Sequence, residues 1–179
     1  MQAEDILHFW FDELSPAQHF VQEDALDAMI RVRFGTLWQA AQRCELWAWR
    51  TTPQGRLAEI LVLDQFSRNI HRGSPLAFAQ DPQALVLAQE LVAGQHDSAL
   101  TPAQRAFAYM PYMHSESAPI HAQAMRLFDQ PGLENNLKFE VQHRDIIARF
   151  GRYPHRNAVV GRTSTAQELA FLQQPGSSF

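Results

Sequence analysis

The stretch from Arg149 to Arg162, RFGRYPHRNAVVGR, sets four arginines, a histidine and an asparagine within fourteen residues. Guanidinium forks grip carboxylate or phosphate oxygens two at a time, a task lysine performs less well. Gly151, Pro154 and Gly161 interrupt the stretch, so it reads as a shaped loop. A second segment, SRNIHRG from Ser67 to Gly73, presents the same donor types. Together they define a candidate ligand-binding set: Arg68, Asn69, Arg72, Arg152, His155, Arg156 and Asn157, with Tyr109, Tyr112 or Tyr153 at the rim. The plainer alternative is that these arginines cap helix ends or bind acidic helices, a role that suits Arg149.

Groups able to move protons recur on apolar faces. Leu57, Leu61, Asp64 and Arg68 fall at helical spacing on one face, with Asp64 and Arg68 four residues apart as an ion pair requires. His143 shares a face with Phe139, Ile146, Ile147 and Phe150, and His114 follows Phe107 and Met110. Burying unpaired charge is costly, so these groups pair with one another or line a wet pocket. Asp64, Glu116, His114 and His143 are therefore the candidate catalytic residues, as acids and bases acting near neutral pH.

Other chemistries lack their signatures. His114-Ser115-Glu116 with His121 beyond matches no standard zinc spacing, so no metal is assigned. Ser115 lacks the GxSxG setting of a nucleophilic serine. There is no P-loop and no Gly-rich dinucleotide motif, so no cofactor is expected. Nucleic acid is disfavoured by a formal net charge of −4 and by lysine being reduced to Lys138 among fifteen basic residues. The N-terminus is acidic and its apolar run is short, which argues against a signal peptide or membrane span. Cys44 is the single cysteine, excluding an internal disulfide and fitting a reducing cytoplasm.

The elements that must carry these residues are helical almost throughout. Ile6 to Phe11 form a short first helix. Asp24 is read as the cap of a longer one through Trp38 that Gly35 is expected to divide. Pro53 opens a third to about Arg68, and Arg72-Gly73-Ser74-Pro75 is a turn. Asp81-Pro82 reads as an N-cap and first helical residue, as does Thr101-Pro102, whose helix should kink or shorten at Pro111. Further helices are expected over 118–128 and 134–150, with a capping box of Ser164-Thr165 and Glu168 before a terminal one. Cys44 and the tryptophans, Trp10, Trp38, Trp47 and Trp49, are read as core, and residues 174–179 as a frayed tail. The chain reads as a single all-α domain over 1–179. Helix pairs at 82–115 and 117–150 point to a tetratricopeptide-like stack of antiparallel helix pairs, the alternative being an irregular helical bundle.

In this order, LDQFSRNIHRG, AFAQD, FAYMPYMHSE, HRDIIARFGRYPHRN, GRTST and a terminal EL-x-FL resemble an uncharacterised bacterial family, the domain of unknown function numbered 924. The resemblance runs from about Ile6 to Leu172. It implies an all-helical, tetratricopeptide-like fold and supplies neither a reaction nor catalytic residues.

The reading expected from the residues is a helical-repeat-like protein that binds a small anionic ligand or acidic peptide through an Arg/His/Asn-lined pocket. One alternative is an enzyme using Asp/Glu–His acid–base chemistry on a small anionic substrate, and another is a protein–protein scaffold. Apolar helix faces fit a dimer interface as well as a core, so oligomeric state stays open.

Overall fold

The computed structural model of the chain describes residues 1–177, and all regular structure among them is helical. Its organising element is α3 (Pro53–Leu61), which continues through a single π-helical turn, Val62–Phe66, into α4 (Ser67–Ile70). Thr52 accepts from the Gly55 amide and Pro53 occupies the first turn, where a missing N–H costs nothing. From Leu57 to Ser67 every residue of this rod is buried. A helix buried on all sides must lie inside the layers that surround it.

Those layers are α1 (Ala3–His8, ending in a π-turn, Phe9–Glu13), α2 (Asp24–Gln42), α5 (Asp81–Ala93) and α6 (Pro102–Met113). Phe9, Phe34 and Phe66 meet at their centre, with ring centroids 4.7 and 4.9 Å from Phe34. The chain then continues into α7 (Ala118–Phe128) and α8 (Glu134–Phe150), with α5 on α6, α6 on α7 and α7 on α8. Gly151, at φ +69°, closes α8 in the left-handed conformation that glycine adopts without strain. The loop beyond it ends in α9 (Ala166–Leu172), started by the Thr165–Glu168 capping box. Ile146, Ile147 and Tyr153 form a small second core there, flanked by Phe150 and Phe171. No helix among the described residues is long and apolar enough to cross a membrane.

Several local expectations are corrected. Gly35 does not divide α2, because buried Phe34 and Trp38 hold the helix across a residue whose interior cost is about 1 kcal/mol. Pro111 does not shorten α6, whose last two turns are anchored by buried Tyr109, Met110, Tyr112 and Met113. Cys44 is exposed and left-handed (φ 60°), since α2 ends at Gln42 and the apolar periodicity stops with Ala41. Trp47 is 68% exposed and Trp49 only partly buried, whereas Trp10 and Trp38 are core. Asp24 and Asp81 are the first residues of α2 and α5 rather than their caps, which are Glu23 and Gln80. Of the tail expected to fray, Gln174 to Ser177 form a turn in which the Ser177 hydroxyl donates to the Leu172 carbonyl; residues 178–179 lie outside the described residues.

Phe34 touches both aromatic neighbours and is fully buried, so its truncation leaves a cavity at the crossing of three elements. Phe34→Ala should cost about 3–5 kcal/mol, read as a lower urea midpoint at unchanged slope.

Candidate functional site

Asp64 lies within the π turn, where one extra residue is accommodated in the helix, a feature found often at functional sites. Its side chain is 1% exposed. Two hydrogen bonds and an ion pair answer the buried charge: His114 Nδ1 at 2.7 Å on Oδ1, Gln65 Nε2 at 2.6 Å on Oδ2, and the Arg68 guanidinium with Nη1 3.0 Å from Oδ1. Burial alone would raise its pKa, but Arg68, His114 and Gln65 outweigh burial and hold the carboxyl well below the usual range. An ionised Asp64 only accepts, so the His114 proton must sit on Nδ1. Burial first, then the Arg68 charge, lower the pKa of His114, leaving it neutral at pH 7. Its Nε2 is then a lone-pair acceptor. That atom makes no hydrogen bond among the described residues and is not sealed from solvent, in a side chain 15% exposed.

Beside this dyad lies a second tier. Arg68 donates Nη1 and Nη2 to Asp81 Oδ1 and Oδ2 at 3.0 and 3.1 Å, and Arg156 Nη1 donates to Oδ2 at 3.1 Å. Arg156 Nη2 donates to the His114 carbonyl at 3.1 Å. The Arg156 guanidinium lies 4.6 Å from both the Phe78 and Tyr153 ring centroids, and Arg68 approaches Phe78 at 5.6 Å. Arg156 is 9% exposed, with Nε buried and unpartnered.

The remaining candidate catalytic residues have other partners. Glu116 accepts from both terminal nitrogens of Arg162 and from the Tyr153 amide, bracing the loop against the end of α6. His143 bonds through Nδ1 to the Phe139 carbonyl and meets Tyr153 edge-on, where burial pushes its pKa down to about 3. Beneath them His121 and Glu140, both sealed, are 2.7 Å apart, and burial raises the Glu140 pKa. The Tyr153 hydroxyl donates to the Met113 carbonyl.

The ligand-binding set divides. Arg68 and Arg156 come together, and His155, pushed down to about 4 mainly by burial, lies in the same loop turn as Arg156. Asn69 and Arg72 do not join them: they bind Asp27 of α2, Asn69 at 2.8 Å and Arg72 through two bonds. Since Ser67–Ile70 continues the buried helix, successive residues leave it about 100° apart and reach different neighbours. Arg152 pairs with Glu168 and the Thr163 carbonyl, and Asn157 is sealed, donating to Ser164. The two loops therefore do not close over one common pocket. A depression of about 390 Å³ between α8 and α9, lined in part by Ile146, Arg149, Phe150 and Phe171, excludes the cluster. Among the described residues no three His, Cys, Asp or Glu side chains gather as a metal site. The residues that sequence reasoning passed over are Asp81 and Phe78. Asp81 was legible only as the start of a helix, and Phe78 only as one residue of the AFAQD motif.

Buried neutral histidines make stability depend on acid. His143 takes up a proton far more readily unfolded than folded, so its contribution is complete above about pH 6.5 and lost as pH falls towards 3. Below about pH 6 it adds a slope of up to about 1.4 kcal/mol per pH unit. Urea titrations from pH 7 to 4 should show a shallower decline for His143→Gln than for the wild type.

No curated protein matches this chain. A solved protein of unknown function from Agrobacterium tumefaciens is similar throughout, with a TM-score of 0.90 and 37% identity over 96% of each chain. A family model, described as bacterial protein of unknown function, matches residues 6–176. With that span covered and the fold shared, the chain belongs to the bacterial family DUF924.

Proposed function

We propose that the chain binds a small anionic substrate over the Asp64–His114 dyad and that His114 Nε2 accepts a proton from it. The observation that carries this reading is the open Nε2 of a histidine whose other nitrogen is fixed by a buried carboxylate. Asp64 holds the ring and tautomer and stabilises the imidazolium that forms, so His114 need not reorganise during transfer. Arg156, bonded to the His114 carbonyl, and Arg68, paired with Asp64, are two fixed positive charges in the same cluster, suited to offset negative charge that develops on a bound substrate. The low accessibility of Arg68, Arg156 and Asp64 favours a small group over an acidic peptide, which needs an open groove. A cytoplasmic setting is in keeping with an exposed cysteine that has no partner for a disulfide.

The test is proton transfer itself. Small carboxylates with acidic C–H bonds are incubated with the protein in heavy water and read by proton NMR for exchange, and carboxylate and phosphate esters are read for hydrolysis. His114→Gln should lower any turnover by about 10²–10⁴-fold, and Asp64→Asn should lower it in the same direction by releasing the tautomer. Turnover retained by a folded His114→Gln protein would overturn the assignment.

A further inference from the structure

We infer that the gap between Arg68 and Arg156 is a binding site for one carboxylate group, and that Asp81 fills it as an intramolecular stand-in. The inference rests on reading the cluster as an anion site, but not on His114 being the base.

Both guanidiniums are held in place without Asp81. Arg68 is tied to its own helix by the Asp64 carboxylate at 3.0 Å and the Asp64 carbonyl at 2.9 Å. Arg156 is fixed by the His114 carbonyl and by the faces of Phe78 and Tyr153. The Asp81 carboxylate, by contrast, accepts hydrogen bonds only from these two arginines among the described residues. It projects from the first turn of α5, next to a ten-residue connection from His71 to Gln80, and remains 14% exposed. The cradle is rigid and its occupant is attached at an element's end. Removing that occupant would leave two arginines facing the single charge of Asp64, an excess of one positive charge. A monoanion restores the balance.

The donor pattern selects the group. Arg68 offers one nitrogen to each of two oxygens, and Arg156 adds a bond to one of them. This is a bidentate fork in which a planar carboxylate already sits with both oxygens satisfied. Arg156 also donates to the His114 carbonyl, which ties the two-arginine cradle to the backbone of the dyad's histidine.

The test is anion rescue. Thermal unfolding of the full chain carrying Asp81→Ala is followed in sodium acetate, phosphate and chloride at equal ionic strength. The variant should melt below the wild type in chloride. Acetate should raise its melting temperature saturably, by about 3–6 °C at ten times the dissociation constant. The wild type, whose own carboxylate competes at high effective concentration, should not respond. Adding Arg156→Gln should abolish the rescue, and adding His114→Gln should leave it intact, which separates this inference from the fate of the base. Equal responses to acetate and chloride, equal responses of variant and wild type, or a larger response to phosphate would each overturn it. Should Asp81→Ala fail to fold, Asp81→Asn keeps the shape of the residue, and the same comparisons decide the question.

Discussion

The constraint on which the rest of this structure depends is a carboxylate sealed inside an all-helical core. Asp64 sits on a rod covered mostly by apolar side chains, far from the water that would normally solvate its charge. Neutralising the residue would be one escape, but Arg68, His114 and Gln65 instead hold it ionised. Each answer creates a further demand. Arg68 brings a buried positive charge that Asp81 meets, Asp81 draws in Arg156, and Arg156 is seated on Phe78, Tyr153 and the end of α6. One buried charge thus links the central helix, the start of α5, the end of α6 and the loop after α8. An apolar residue at position 64 would require none of these contacts for folding.

That chain of requirements explains the look of the loop from Gly151 to Arg162. Its arginines are not spare cations waiting on a surface. Arg152 joins Glu168 of α9, Arg162 joins Glu116 at the end of α6, and Arg156 enters the cluster. The first two act as struts that keep the third in place, and Gly151 provides the sharp exit from α8 that the geometry needs. Local charge is balanced nearly everywhere, so the atom left open stands out: a histidine nitrogen at the edge of the network.

Periodicity located most of the helices because their apolar faces are one-sided and their caps use ordinary Thr–Pro and Thr-x-x-Glu signals. It located Asp64, Arg68 and His114 for the same reason, since polar groups in an apolar row are conspicuous. Beyond the Asp64–Arg68 pair within one helix, partnership was not legible. Nothing in SRNIHRG distinguishes Arg68, which faces the cluster, from Arg72, which faces Asp27, because the difference lies in how far α4 prolongs the rod. Nor does Asp81 differ in type from any helix-start aspartate until Arg156, seventy-five positions away, is folded onto it. Cys44 and Trp47 were misplaced through a boundary: apolar residue types continue in the sequence past Gln42, but α2 and its buried face have ended by then.

The π turn at Val62–Phe66 has a consequence for how this chain can change over generations. A loss of a single codon there would allow the rod to close into an uninterrupted α-helix with better backbone bonding. Residues beyond the turn would keep nearly their present direction, since five π-helical residues turn about as far as four α-helical ones, but the positions inside it, Asp64 among them, would be redistributed around the axis. Such a lineage would keep a sound helix and lose the constellation around it. The retained irregularity is a wager in which local regularity is given up for the company Asp64 keeps.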